Sequence, residues 1–174
     1  MAYLPRDERR AAIVEATIRV MRSAGFEGVS ARSVAAEVGG SPGLIHQHFS
    51  SVSSLTASAW RAYVAESLEG FAGAVHGGER DPVEEFFGNH LDPAQGAELS
   101  LWVSAWAHAL RSPDFGSVFA ESLAALTQAL RAADPELSEG AAERTVLLGV
   151  ALAGMQQIAP ERYDAGRLAE IVNG

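Results

Sequence analysis

VSARSVAAEVGGSPGLIHQHFSSVSSL, residues 29–55, holds two short helical patterns joined by paired glycines, with a third helix starting at its far end. Ser30 is placed as an N-cap, since its hydroxyl can accept from a free amide of the first turn. Val29 and Val34 fall at N′ and N4, where two apolar side chains staple the entry angle. Val34, Ala35 and Val38 repeat at helical spacing, so one face is expected to be buried. Gly39-Gly40 supplies the stop, because glycine enters left-handed turn geometry without steric cost. Ser41-Pro42 restarts the helix, with serine as cap and proline at the first position, where no amide is needed. The second helix, SPGLIHQHF, has apolar anchors at Leu44, Ile45 and Phe49. Pro42, Gly43, His46, Gln47 and His48 are left for its outer face.

A short helix, a glycine-bearing turn and a second short helix with a polar outer face make a helix-turn-helix. The stretch resembles the N-terminal DNA-binding domain of the tetracycline-repressor-like (TetR) transcriptional regulators. The matching residues are Gly25-Phe26, Ser30, Val34-Ala35, Gly39, Ser41, Gly43, Ile45, His48-Phe49 and Leu55. By that resemblance Ser30, His46 and His48 fall where family members contact backbone or bases. Glutamine can pair with adenine in the major groove, which makes Gln47 a further candidate, and Pro42-Gly43 keep the helix start slim. Ser41 and Arg32 complete the set on this pair of helices. Three positions depart from the family pattern: His46 stands for a tyrosine, Val52 for a lysine and Gly40 for a valine. Loss of the cation at Val52 should flatten the salt dependence of DNA binding by about one unit. Gly40 should loosen the turn.

A formal net charge of −9 is unusual for a DNA binder, but it is unevenly placed. Residues 1–55 hold six arginines against five acids, whereas residues 56–174 hold seven arginines against 17 acids. All 13 basic residues are arginine. Arg6, Arg9 and Arg10 cluster at the start of the first helix, either as phosphate contacts or as a solvated helix terminus; beside a helix-turn-helix the phosphate role is favoured for Arg9 and Arg10. The chain has no cysteine, which excludes disulfides and thiolate chemistry. No apolar run approaches about 18 residues, so neither a spanning helix nor a membrane partner is expected. MAYLPRDERR lacks the apolar core of a signal peptide, which points to the cytoplasm.

Helical periodicity continues to the end of the chain. Residues 7–24 bury Ile13, Ala16, Thr17, Val20, Met21 and Ala24. A long helix over 51–75 carries Leu55, Ala59, Trp60, Tyr63, Leu68 and Phe71, and Gly73, Gly77 and Gly78 break it. Further helices are expected over 81–92, 95–111 (stripe Leu99, Trp102, Val103, Trp106, Leu110), 114–133, 138–157 and 164–172, with Pro93 between the first two. The fold class is all-α: a three-helix helix-turn-helix domain, residues 1–55, and a helical ligand-binding and dimerisation domain, residues 56–174.

Two features of the second domain bear on function. Trp60, Tyr63, Phe86, Phe87, Trp102 and Trp106 lie on helices that family members pack around a ligand, with His90 and His108 as polar handles; plain core is the competing reading. An apolar pocket would suit a small hydrophobic or amphipathic effector. Phe119, Leu123, Leu126 and Leu130, with the small face of Thr145, Gly149, Val150, Ala153 and Gly154, would form a four-helix interface in a homodimer, or else intramolecular core. A two-fold dimer would match palindromic operator DNA. His90, Asp92 and His108 are too sparse for a metal site, and no serine sits in a nucleophile elbow, so neither cofactor nor enzymatic activity is expected. The resemblance thus implies a ligand-responsive DNA-binding regulator, with a repressor that releases its operator as the expected mode. The alternative is an all-α dimeric binding or interaction protein with a degenerate DNA-reading head, kept open by Gly40, His46 and Val52.

Overall fold

Serine, aspartate or proline starts most of the helices, and Gly25 and Gly39 end two of them. The computed structural model describes residues 5–78, 80–92 and 95–173. Among the described residues there are nine α-helices and no strand. They are α1 (Arg6–Ala24), α2 (Ala31–Val38), α3 (Pro42–His48), α4 (Val52–Val75), α5 (Pro82–Leu91), α6 (Gly96–Ala109), α7 (Pro113–Ala133), α8 (Glu139–Ile158) and α9 (Ala165–Asn173), with a 3-10 turn at Phe26–Gly28. The all-α expectation is met. Pro93, expected to separate α5 from α6, lies outside the described residues. No helix among the described residues is long and apolar enough to cross a membrane.

Contacts divide the chain into two compact units, Met1–Ala65 and Glu66–Gly174, and the division falls inside α4. Leu55, Ala59, Trp60, Tyr63 and Val64 of α4 are buried, which explains why its first half belongs to the N-terminal unit. The core of that unit comprises Ile13, Ala16 and Val20 of α1, Val34 and Ala35 of α2, Ile45 of α3, Phe49, and Leu55 of α4. Trp60 is fully buried, with Phe26 at 5.6 Å edge-on and Tyr63 at 5.2 Å.

Capping chemistry sets the helix starts. Ser33 N donates to Ser30 Oγ at 3.0 Å, and Ser30 N donates to Ser33 Oγ at 2.9 Å, a reciprocal box with serine in place of the usual glutamate. The same Ser-x-x-Ser arrangement recurs ahead of α4, where Ser54 N donates to Ser51 Oγ at 3.0 Å and Ser51 N to Ser54 Oγ at 3.3 Å. Asp81 Oδ1 accepts from Val83 N and Glu84 N, both at 2.9 Å, and opens α5 with Pro82 at its first position.

In the C-terminal unit Phe87, Leu152 and Leu168 join α5, α8 and α9. Leu130, Ala142 and Val146 join α7 to α8, with Leu123 and Leu126 packed against them. The expected stripe of α6 is misplaced: Leu101 and Ala105 are buried, whereas Trp106 is 41% and Leu110 76% exposed. Apolar residues occupy almost every side of α6, so spacing alone could not select the face that is covered. Leu91, expected inward, is 37% exposed. Gly73 lies within α4 rather than breaking it.

The small face of α8 serves a neighbour in the same chain. A Cβ on Gly149 would stand 2.7 Å from Phe86 Cε1 and 3.0 Å from its Cζ, whereas one on Gly154 would meet nothing within 4 Å. Of the two glycines, Gly149 is the one that lets the Phe86 side chain of α5 approach α8. Gly149→Ala is expected to lower unfolding free energy by about 1–3 kcal/mol through overpacking. Gly154→Ala should raise it by about 0.5–1 kcal/mol through helix propensity. Urea unfolding of the two variants separates them; equal stabilities would contradict the close approach.

Candidate functional site

The seven residues of α3 cannot hold a helix unaided, because nucleation is too costly in so short a segment. Ile45 and Phe49 fix it by burial against α1 and α2, and Leu44 is half-buried beside them. With that side committed inward, Pro42, Gly43, His46 and Gln47 are exposed and His48 is half-buried. Ser30, Arg32 and Ser41 are exposed as well. Ser41 stands in extended N-cap geometry, but its hydroxyl makes no capping bond, unlike that of Ser30. Proline at the first position removes one orphan amide, which reduces the need for a side-chain cap.

The turn between α2 and α3 is tied rather than loose. Gly39 adopts φ 69°, ψ 36°, the left-handed conformation that glycine reaches most easily. Gly39 N donates to Ala36 O at 3.2 Å and Gly40 N to Ala35 O at 2.8 Å, the paired bonds of a Schellman motif. A Cβ on Gly40 would meet Leu44 Cδ2 at 2.8 Å, so a larger residue here would have to displace that side chain. Arg19 Nε donates to Glu37 Oε1 at 2.7 Å, joining α1 to α2 at the surface.

Arg10 serves the head from within. Its Nη1 donates to the carbonyl of His48, and its guanidinium lies over the Phe49 ring at 3.9 Å. It therefore ties the first turns of α1 to the end of α3, a role that spacing did not suggest. Arg9 is half-buried on the same turn.

The residues expected around a ligand are not brought together as one set. Trp60 and Tyr63 lie in the core of the N-terminal unit. Phe86, Phe87 and His90 form an aromatic group on α5, with Phe87 5.4 Å from the His90 ring. Trp102 meets Phe119 at 6.1 Å, and Trp106 is on the surface. His108 stacks edge-on with Phe115 at 5.0 Å. Likewise Phe119, Leu130, Gly149, Ala153 and Gly154 are buried within the single chain, and Leu123, Leu126, Thr145 and Val150 are half-buried.

One cavity of about 530 Å³ does open in the C-terminal unit, and of the expected ligand residues it includes His90. Its wall joins the end of α5 (His90, Asp92), the start of α6 (Leu99, Ser100), the last turns of α8 (Ala153, Gln156) and the segment entering α9 (Tyr163, Asp164). The adjacent glutamines that follow the apolar stretch 146–155 of α8 were the available sequence signal for it. His90 is 7% exposed. Its Nε2 bonds the carbonyl of Gly149 at 2.9 Å; a carbonyl only accepts, so this nitrogen carries the proton. Burial holds the imidazole below its ordinary value of 6.5, outweighing the main-chain carbonyls of Gly149 and Phe86, which favour protonation. Nδ1 nevertheless makes no hydrogen bond. Gln156 Nε2 donates to His90 O at 2.9 Å, leaving its own Oε1 buried without a partner.

Residues 13–58 match the family model described as bacterial regulatory proteins, tetR family. Among solved structures, a member of the TetR family from Streptomyces coelicolor A3 is similar over 95% of this chain and 96% of its own, with 27% identity and a TM-score of 0.68. The match to the tetR family of bacterial regulatory proteins falls on the N-terminal head. The chain is also similar to the multidrug binding protein EbrR. EbrR complexed with imidazole is 28% identical, with 98% of this chain and 96% of that chain covered and a TM-score of 0.71. EbrR complexed with proflavin is 25% identical, with 95% and 98% covered and the same TM-score of 0.71. No curated protein matches. The matched segment contains α2, the Gly39 turn and α3, which form its helix-turn-helix.

Two expected outcomes follow for this protein. Arg10→Ala should destabilise the head by about 1–2 kcal/mol, from the lost cation–π contact and charged hydrogen bond. Arg9→Ala should leave stability unchanged; denaturant unfolding distinguishes the two. For His90, the folded protein binds fewer protons than the unfolded chain between its lowered pKa and 6.5, so stability rises with pH through that window and is lost as pH falls below 6.5. Unfolding measured on both sides of pH 6.5 should show that loss, and His90→Gln should lessen it.

Proposed function

We propose that the protein is a homodimeric repressor that binds palindromic operator DNA and releases it when a small hydrophobic or amphipathic effector enters the C-terminal unit. The observation that carries this reading is the outward polar face of α3, with His46 and Gln47 exposed on a helix whose opposite side is fixed by Ile45 and Phe49. Such a face suits the major groove, about 12 Å wide, where glutamine can pair with adenine. Ser30, Arg32, Ser41 and His48 supply backbone contacts at its edge, with Arg9 reaching phosphate from α1. The tied turn at Gly39-Gly40 removes one ground for regarding the head as degenerate. The protein acts in the cytoplasm, where the chromosome is.

A single head contacts few bases, and a two-fold pair doubles them. The dimer uses outer surfaces of the helices first picked out for it, because their inner faces are already covered. Leu147 and Ile158 of α8, 52% and 77% exposed, are apolar residues available for such a contact. Two heads must stand roughly 34–36 Å apart to enter successive major grooves. Because α4 supplies residues to both units, an effector that favours another disposition of this helix disfavours operator binding. The complexes of EbrR with imidazole and proflavin support a small-molecule site in this fold.

A mobility-shift titration of the full chain against its own upstream region tests the reading. A salt-dependent shift is expected, with Gln47→Ala weakening it by about 1–3 kcal/mol. Absence of any shift at low salt would overturn it.

A further inference from the structure

From Val38 to Trp60 the chain has no aspartate, glutamate, lysine or arginine, and no tyrosine or cysteine. His46 and His48 are the only ionisable side chains in that stretch. It spans the glycine turn, the whole of α3 and the first turns of α4. The helix that presents Gln47 outward therefore has no permanently charged side chain. Its charge is set by histidine, the residue type whose ordinary titration falls between about pH 5 and 8.

Two observations single out His46. Pro42, Gly43, His46 and Gln47 are all exposed and recur at the spacing of one helix face, so the His46 ring shares that face with Gln47. His48 is half-buried, and its carbonyl takes the Arg10 guanidinium. His46 also stands in the last turn of α3, where the carbonyl end of a helix attracts cations. The bond from Arg10 to His48 O is one such attraction already satisfied.

The neighbouring elements bring the other charges. On α1 these are Arg6, Arg9, Arg10 and Arg19 with Asp7, Glu8 and Glu15, while Arg22 lies over the Tyr63 ring at 5.5 Å. On α2 they are Arg32 and Glu37, and Glu37 is paired with Arg19 at 2.7 Å. α4 adds no charge before Arg61, and no acid lies between Glu37 and Glu66. No carboxylate on α3, its turn or the first turns of α4 thus competes with an incoming phosphate for the His46 ring.

We propose that His46 meets DNA as an imidazolium, taking a proton from solvent as a backbone phosphate reaches its ring. The inference rests on the DNA-binding reading above and adds a proton to it. Linkage makes the coupling reciprocal: whatever the phosphate adds to the hold on the proton, the proton adds to the hold on DNA. Affinity therefore rises as pH falls. Burial of neutral His90 acts with the opposite sign, since it lowers stability as pH falls, so stronger binding in acid cannot come from that group.

Anisotropy titration of the full chain at roughly pH 6 and roughly pH 8 reads the coupling. The probes are a labelled duplex of its own upstream region and a random duplex of equal length. Affinity for both should be about tenfold higher per head at the lower pH. The slope of log affinity against log salt should steepen there by up to about 0.9 per head. His46→Gln should flatten both differences, and His46→Lys should carry the acid affinity over to the higher pH. Both variants change an exposed side chain and keep the fold, which circular dichroism at each pH checks. Calorimetry near neutrality in two buffers of different ionisation enthalpy counts the proton: net uptake on binding, and less of it in His46→Gln. Affinities and salt slopes alike at the two pH values would overturn the proposal and leave the DNA-binding reading standing. A pH dependence that survives His46→Gln in full does the same. Binding of neither duplex, even in acid and low salt, sinks both.

Discussion

The burial of Ile45 and Phe49 against α1 and α2 is the contact on which the DNA-facing half of the molecule depends. A helix of seven residues gains too little from its own hydrogen bonds to persist, so its existence and its orientation have one cause. Once those two side chains are inside, His46 and Gln47 have nowhere to go but outward. The Schellman turn before α3 and the Arg10 bridge after it close both ends. The reading face is thus a by-product of core packing, with polar bonds only at its two ends.

The C-terminal unit is organised by a different constraint, the absence of one methyl group. Gly149 lets the Phe86 ring come against α8, and the same position offers its carbonyl to His90. The two contacts seat α5 on α8 and orient the imidazole in the cavity wall. Gln156, two turns further along α8, takes the carbonyl of His90 itself. This side of the unit is therefore held by main-chain groups that side chains from another helix satisfy.

Legibility in the sequence followed the range of the interactions. The Ser30 cap, the glycine turn and the anchors of α2 and α3 are decided within a few residues and are where the pattern placed them, whereas Ser41 holds the N-cap position without a capping bond. The reciprocal partner Ser33 escaped notice because serine seldom fills the place of glutamate in a capping box. Arg10 resembled any exposed cation until its partner 38 residues away was known. The covered face of α6 was not legible, since Leu99, Leu101, Trp102, Val103, Ala105 and Trp106 surround the helix with apolar surface. The cavity was least legible of all: His90 and Gln156 meet across 66 residues, and neither has a periodic signature that points to the other.

The Arg10 bridge has a metrical consequence. It fastens the start of α1 to the end of α3, and the Arg19–Glu37 pair adds a second link between α1 and α2. Side chains that extend from the first turn of α1 and those on the outer face of α3 then keep a constant offset, like two marks on one ruler. A head built this way tolerates no stretching between the phosphates it touches and the bases it reads. In the proposed dimer, any latitude in the length of the operator has to be found between subunits, never inside one.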